Sequence, residues 1–169
     1  MEIVKRTKDG RTIWFGPFGA VYSEWPPRDD FYYQRMLPPN PVENVLILGV
    51  CGNTIGRLIK EKYPNCRVTL LDKNPIPEVP VDIVMDAKEY IEQTADKYDF
   101  IVIDLYDENG IAPFVVTDEF ARKLAEMAPL VAMNAMHYSY AQPYWPYFDV
   151  IAQDVAINNL VIMLKRKNG

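Results

Sequence analysis

The sequence predicts an α/β fold with a mainly parallel sheet, an antiparallel edge and a β-hairpin near the N-terminus. Three observations lead to this prediction. From residue 42 onward, apolar runs alternate with amphipathic stretches, as in βα repeats around a parallel sheet. Asp9-Gly10, a tight-turn signal, lies between two short alternating segments. The last apolar segments, within residues 155–167, are separated only by Asn158-Asn159, which indicates an antiparallel strand pair.

The N-terminal part is predicted to be small and partly irregular. The Asp9-Gly10 turn gives a β-hairpin over residues 2–15, and a third short strand is expected at residues 20–23. A short helix is expected from Asp29 to Met36, with Asp29 as its N-cap. Three prolines after Met36 end this helix. We therefore divide the chain into an N-terminal unit, residues 1–41, and a main domain, residues 42–169.

The main domain contains five apolar runs without alternation, which is typical of strands buried on both faces. They are NVLILG (44–49), RVTLL (67–71), VDIVM (81–85), DFIVIDL (99–105) and PLVAMNA (129–135). Three amphipathic stretches between them predict helices: TIGRLIKEKYP (54–64), AKEYIEQTADKY (87–98) and TDEFARKLAEMA (117–128). A further helix, interrupted by Pro143 and Pro146, is expected over residues 139–154.

One connection in the main domain is unusually short. Only nine residues, 72–80, separate the second and third predicted strands, and three of them are prolines. A parallel crossover normally needs a dozen or more residues and contains a helix. We therefore expect no helix here and a sheet face without helical cover. Such a face is often hidden by a second subunit, so the sequence predicts a homodimer.

Composition narrows the class of function. The formal net charge is -5 and the sequence pI is about 4.9, which argues against nucleic acid as a partner. His137 and two distant cysteines, Cys51 and Cys66, offer no metal-ligand spacing, so no metal is expected. No secretion signal and no apolar run near the roughly 18 residues of a membrane span are visible. A cytoplasmic protein without membrane association is expected.

The segment GVCGNTIG, which begins at Gly49, predicts a strand-to-helix turn that could bind a ligand. Backbone N–H groups and the positive end of a helix favour an anionic or polar group there. Gly49, Cys51, Gly52 and Asn53 are the candidate residues. The spacing differs from the dinucleotide motif G-x-G-x-x-G, so an ordinary turn is the alternative.

Acidic residues end the next two predicted strands. Asp72 lies 23 residues after Gly49, where a carboxylate can accept the ribose hydroxyl groups of a nucleoside. Asp86, followed by the small Ala87, is placed to receive an adenine amino group. The alternative is that both acids only cap helices or form turns.

Two more acids follow the fourth predicted strand. Asp104 and Asp107 are three residues apart at a strand-to-loop transition, so both side chains can face one cation in the crevice at the carboxyl ends of the strands. The alternative is that they are loop acids without a ligand.

Three segments together resemble the spermidine synthase-like (polyamine aminopropyltransferase) family. DDFYYQRML is similar to the family pattern D-E-x-x-Y-x-E-M-L, and GVCGNTIGR is similar to G-x-G-G-G-[ST]-L-x-R. KYDFIVIDLYDENGIAPFVVTDEF is similar to K-[FY]-D-x-I-[IV]-x-D-x-x-D-P-x-G-P-x-x-x-L-[YF]-[ST]-x-E-F. The resemblance covers nearly the whole chain and implies the Rossmann-like fold of class I AdoMet-dependent methyltransferases.

The resemblance also implies a reaction. AdoMet or decarboxylated AdoMet would be the co-substrate and a small-molecule amine the acceptor. Asp104 would contact the co-substrate and deprotonate the amine, and Asp107 would hold an amine group. The family helix pattern assigns Tyr33 and Gln34 to the substrate.

Two departures from the family patterns leave the function open. Arg35 replaces an acid of the helix motif and would repel ammonium groups, and Tyr22 takes the place of a family glutamine. Aminopropyl and methyl transfer are therefore both considered. The alternative function is a catalytically inactive nucleoside-binding or dimerisation module of the same fold.

Overall fold

The computed structural model describes residues 2–157 and 159–168. An antiparallel sheet at the N-terminal end consists of β1 (Val4–Lys8), β2 (Arg11–Phe15) and β3 (Val21–Trp25). Asp9 and Gly10 form the turn with positive φ angles of 52° and 77°, as the hairpin signal predicts. The N-terminal hairpin and the short third strand are confirmed.

The predicted helix at residues 29–36 is wrong in extent. Only Tyr33–Met36 is helical, as a 3-10 turn that Tyr32 rather than Asp29 precedes. Three consecutive aromatic side chains, Phe31, Tyr32 and Tyr33, are all buried. A regular helix presents successive residues in directions about 100° apart, so it could not bury all three against one surface.

A seven-stranded sheet forms the main layer. Its strands and those of a small separate ladder are β4 (Asn44–Leu48), β5 (Arg67–Asp72), β6 (Ile83–Val84), β7 (Phe100–Ile103), β8 (Tyr106–Asp107), β9 (Gly110–Ile111), β10 (Leu130–Ala135), β11 (Phe148–Ala156) and β12 (Asn159–Arg166). The strand order in the large sheet is β11-β12-β10-β7-β4-β5-β6. Pairing is parallel from β10 through β6 and antiparallel for β12 and β11, as predicted. A two-stranded ladder of β8 and β9 lies outside this sheet.

The strand order positions the ligand site. From β4 the chain continues through β5 to β6 at one edge, and then returns to β7 on the other side of β4. The connections after β4 and β7 therefore diverge. A crevice opens at such a switch point outside the carboxyl ends of the strands, and this is where α/β proteins bind ligands.

Helices cover both faces of the large sheet. The helices are α1 (Thr54–Lys62), α2 (Ala87–Gln93) and α3 (Asp118–Met127). In β4, Val45 and Ile47 belong to the core on one face, and Leu46 and Leu48 belong to the core on the other. This double burial explains the apolar runs without alternation. No helix within the described residues is long and apolar enough to cross a membrane.

The connection between β5 and β6 contains no helix, as predicted, but the sheet face beside it is not bare. Val79 is 6% exposed and packs with Ile76 into the core that also contains Val68 and Leu70 of β5. A hydrogen bond from the Leu70 amide to Asp82, 2.8 Å long, ties the loop to β5. A proline-rich loop thus covers the surface that a helix would otherwise cover.

The predicted helix over residues 139–154 is also wrong in part. Residues Tyr138–Tyr144 form a 3-10 helix, after which the chain enters β11 at Phe148. Pro143 and Pro146 prevent a longer helix, and the following residues pair along β12 instead. Of the predicted turn, Asn158 lies outside the described residues.

Substitution of Val79 tests the role of the loop as sheet cover. Val79→Ala should lower the free energy of unfolding by about 1–3 kcal/mol, because it removes buried methyl groups. The control is Val84→Ala in β6, where the side chain is 63% exposed and the loss should stay within about 0.5 kcal/mol. Urea unfolding measures both changes. Equal effects would contradict the proposed cover.

Candidate ligand-binding site

A cavity of about 600 Å³ opens at the carboxyl edge of the large sheet. This volume lies within the range of pockets that hold small molecules. Most of the predicted site residues line it: Gly49, Cys51, Asp72, Asp86, Ala87, Asp104 and Asp107. Strand ends that are far apart in the sequence therefore meet at one cavity.

Asp104 follows β7 and is held on both carboxylate oxygens. Oδ2 accepts a hydrogen bond of 2.8 Å from the Tyr32 hydroxyl, and Oδ1 accepts one of 2.9 Å from Asn134 Nδ2. Burial raises the pKa of Asp104 above its ordinary value, and these two hydrogen bonds act in the opposite direction. The carboxylate is thus fixed in orientation and is more basic than an exposed aspartate.

The turn after β4 requires residues that tolerate positive φ angles and, at Gly49, a close approach of the Asp104 backbone. Gly49 has a φ of 89°, and a Cβ atom there would collide with the carbonyl oxygen of Asp104. Cys51 and Asn53, which stand in place of family glycines, have φ angles of 45° and 62°. Asparagine adopts this conformation readily, whereas cysteine does so at some cost.

Gly52 and Asn53 do not line the large cavity. The Gly52 amide donates to Ser23 Oγ at 2.9 Å, and a Cβ atom at Gly52 would collide with the Trp14 ring. Gly52 therefore allows the N-terminal sheet to pack on the turn. Asn53 lies at the left-handed position immediately before α1.

Asp72 already accepts hydrogen bonds from the protein. Oδ2 accepts from the amides of Val50 at 3.0 Å and Cys51 at 3.5 Å, and Oδ1 accepts from the Asn74 amide at 2.9 Å. A carboxylate offers about four acceptor positions. One remains for a ligand hydroxyl group, and the long contact to Cys51 could be exchanged for a second.

Asp86 has the capping role that the alternative prediction describes. Its Oδ1 accepts from the Lys88 amide at 2.9 Å, which makes Asp86 the N-cap of α2. Within the described residues no hydrogen bond to its Oδ2 is found. Capping and ligand contact are therefore compatible at this residue.

Asp107 lies in the β8–β9 ladder at the cavity wall. Its Oδ1 accepts from the Asn109 amide at 2.7 Å, so it also forms a turn. The Tyr22 hydroxyl donates to the Asp107 carbonyl oxygen at 3.4 Å. Asp104 and Asp107 thus lie on one cavity, and their contact with a cation remains a prediction.

The tyrosine and cysteine side chains at the cavity remain neutral at pH 7. Burial, and then the charges of Asp104 and Asp107, raise the pKa of Tyr22 to about 12. Burial raises the pKa of Cys51 to about 11, so its thiol is not an activated nucleophile. Tyr106, whose hydroxyl donates to the Asn134 carbonyl oxygen at 2.8 Å, also has a raised pKa because it is buried.

The structure does not bring three residues of the helix motif to this cavity. Tyr33 is fully buried, and neither Tyr33 nor Gln34 is among the lining residues. Arg35 Nη1 donates to the Phe31 carbonyl oxygen at 2.9 Å, and Arg35 is also absent from the lining. The assignment of Tyr33 and Gln34 to a substrate remains a prediction.

Sequence reasoning missed three residues of this site. Tyr32 and Asn134 bind Asp104, and Arg28 lines the cavity. Asn134 had a visible signal, because it is a polar residue inside the apolar run PLVAMNA. Tyr32 and Arg28 had no such signal. They lie in the irregular stretch between β3 and the 3-10 turn, and only its backbone path turns them toward the sheet edge.

Comparison with curated proteins identifies a relative that is named as a polyamine aminopropyltransferase. The chain is 31% identical over 138 residues to a polyamine aminopropyltransferase of Korarchaeum cryptofilum. This match covers 69% of the chain and 42% of the relative, so the chain spans less than half the length of that protein. No family model matches the chain.

Solved structures share the fold at low sequence identity. A probable spermidine synthase from Corynebacterium glutamicum has a TM-score of 0.68 and 16% identity, covering 96% of this chain and 76% of that one. Human methyltransferase-like protein 13, solved in complex with SAH, has a TM-score of 0.62 and 14% identity, covering 83% and 77%.

The fold and the position of the cavity define the class: an α/β protein with the Rossmann-like fold of class I methyltransferases. Within this class, the 31% identity to a polyamine aminopropyltransferase supports the resemblance of the chain to the spermidine synthase-like family.

The raised pKa of Asp104 predicts a pH-dependent stability. The folded protein binds this proton more tightly than the unfolded chain does. The stabilisation from this group is therefore complete below the unfolded-state pKa of about 4 and is lost as the pH rises through the higher folded-state value. Asp104→Asn cannot ionise and can still exchange hydrogen bonds with Tyr32 and Asn134, so it should unfold at a higher temperature than wild type at pH 7.

Thermal unfolding from pH 4 to pH 8 measures this effect. The advantage of Asp104→Asn should shrink as the pH falls toward 4. Asp149→Asn, at an exposed position in β11, is the control and should change the midpoint little. A variant at residue 104 that is less stable than wild type at pH 7 would contradict the assignment.

Proposed function

We propose that the protein is a transferase that binds AdoMet or decarboxylated AdoMet and uses a small-molecule amine as acceptor. The observation that carries this proposal is the anchored Asp104 carboxylate in a cavity that also contains Asp72, Asp86 and Asp107. The relative named as a polyamine aminopropyltransferase supports the same class of reaction.

The nucleoside half of the site would lie over the turn after β4. The remaining acceptor position of Asp72 would receive a ribose hydroxyl group. Asp86 Oδ2 and the backbone beside Ala87 would meet the adenine ring. Gly49 and Cys51 lie at the cavity wall between these acids and Asp104, so their backbone would contact the middle of the ligand.

Asp104 is suited to take the proton of the attacking amine. Polyamines are protonated at neutral pH, so the attacking nitrogen must lose a proton before it can react. A carboxylate whose pKa is raised by burial accepts that proton more readily than an exposed one. Tyr32 and Asn134 keep the carboxylate directed at one place while this occurs.

The bond changes of this reaction balance without a metal or an oxidant. A sulfonium compound supplies an electrophilic carbon atom and a neutral thioether as leaving group. The lone pair of the amine forms the new C–N bond, the C–S electron pair moves to sulfur, and the proton is left on Asp104. Asp107 would hold a second ammonium group of the acceptor.

Substitution of Asp104 tests the catalytic role. Asp104→Asn should lower the rate of transfer by roughly 10²–10⁴-fold, because the amine loses its base. The protein is incubated with either sulfonium compound and with putrescine or spermidine, and the product is measured by mass spectrometry. Binding of methylthioadenosine, measured by calorimetry, should be retained. Full turnover by the variant would overturn the role.

The inactive module of the same fold is the second candidate function. The positive φ at Cys51 and the absence of an acid at Arg35 favour it. AdoMet-dependent stabilisation in a thermal shift assay, with no product across an amine panel, would support this module. Product formation with any amine would exclude it.

The homodimer, the cytoplasmic location and the absence of a nucleic-acid partner also remain proposals. The loop after β5 covers the sheet face on which the sequence predicts a second subunit, so the dimer proposal depends on the sheet edge, where Val84 of β6 is largely exposed. We expect a dimer in light scattering at micromolar concentration. A monomer under these conditions would remove the argument for dimerisation.

A further inference from the structure

Arg28 is a basic residue in a mainly acidic cavity. The described lining residues include five acids, Asp72, Asp86, Asp104, Asp107 and Glu108, and two bases, Arg28 and Lys73. Lys73 follows Asp72 directly, on the side proposed for the ribose. Arg28 belongs to the segment that carries Tyr32, the residue that binds Asp104.

Contacts with Glu24 and Phe31 hold one edge of the Arg28 guanidinium group in place. Its Nε donates to Glu24 Oε1 at 2.7 Å, and its backbone amide donates to the same oxygen at 3.3 Å. Its guanidinium carbon lies 5.1 Å from the centre of the Phe31 ring, a cation–π distance. The Phe31 ring in turn contacts the ring of Tyr32, with centroids 4.8 Å apart.

Pairing with Glu24 does not use the whole guanidinium group. The Glu24 side chain is fully buried, whereas 32% of the Arg28 side chain is exposed. Within the described residues neither Nη atom of Arg28 donates a hydrogen bond that meets the usual geometric limits. The guanidinium group carries five N–H donors in a rigid plane, so four remain beyond the one on Nε. These donors match the two oxygens of a carboxylate.

We propose that Arg28 forms a carboxylate subsite of this cavity and that it binds the α-carboxylate of AdoMet. This inference rests on the proposed function, since it assigns a chemical group of the sulfonium co-substrate to a residue of the same cavity. It selects AdoMet over decarboxylated AdoMet, which lacks this carboxylate. The reaction is then transfer from a carboxylate-bearing sulfonium compound to an amine.

The acidic residues of the cavity by themselves favour the more positively charged of the two ligands. Decarboxylated AdoMet carries more net positive charge than AdoMet, so an acidic cavity without a carboxylate subsite would favour it. A preference for AdoMet therefore requires a specific cation that overcomes the general field. Arg28 is partly exposed, held in place by Glu24 and Phe31, and has donors to spare.

The test compares the binding of AdoMet and decarboxylated AdoMet to the full chain by calorimetry, without an acceptor. Wild type should bind AdoMet about tenfold to a hundredfold more tightly. Arg28→Gln should remove this preference by weakening AdoMet alone. Arg28→Lys should restore only part of it, because a lysine offers no planar pair of donors.

Two controls separate a subsite from a fold defect. Replacing Arg28 alone leaves the buried Glu24 carboxylate without its partner. The double variant Glu24→Gln, Arg28→Gln removes that charge as well, and it should still bind decarboxylated AdoMet. Lys73→Gln removes the other base of the cavity and should leave the ratio of the two affinities unchanged.

The outcomes distinguish this inference from the proposed function. Equal binding, tighter binding of decarboxylated AdoMet by wild type, or equal weakening of both ligands by Arg28→Gln would overturn the carboxylate subsite and leave a sulfonium site in place. Binding of neither compound would overturn the proposed function itself.

Discussion

The arrangement of this site depends on one half-buried carboxylate that must be satisfied on both oxygens. Asp104 receives a hydrogen bond from Tyr32, in the irregular N-terminal segment, and another from Asn134, in β10. Leaving either oxygen without a donor would cost free energy, because the surroundings are poorly solvated. The two bonds therefore fix the N-terminal segment and two neighbouring strands relative to one another, and they hold the Asp104 carboxylate at the wall of the cavity.

Three other acids of the cavity combine structural and ligand-facing positions. Asp72 binds the backbone of the turn after β4, Asp86 caps α2, and Asp107 closes a tight turn. Each carboxylate has acceptor positions beyond those it uses in the protein. The same acid can therefore form a turn or cap and also bind a ligand. Acids that are already held by backbone amides are oriented before a ligand arrives, which reduces the entropy lost on binding.

The N-terminal segment, within residues 1–41, adds a hydroxyl group and a guanidinium group to the acidic site. Its sheet packs on the turn after β4 through Trp14 and Ser23, where Gly52 leaves room for the indole ring. Its irregular part brings Tyr32 to Asp104 and Arg28 to the cavity. The large sheet therefore supplies the acidic floor, and the N-terminal segment supplies the hydroxyl and guanidinium groups above it. Variation in this segment would change ligand preference without altering the sheet.

The sequence alone determined the α/β class, the parallel sheet with its antiparallel edge and the acids at the strand ends, because strand burial and strand ends leave local, periodic patterns. It did not determine the 3-10 turn at Tyr33–Met36 or the strand that begins at Phe148, since neighbouring packing and pairing override local helix preference at both places. Only the tertiary structure decided that Tyr32 and Asn134 bind Asp104. These contacts join residues 72 and 30 positions apart, and no local pattern specifies which partners a buried carboxylate will meet.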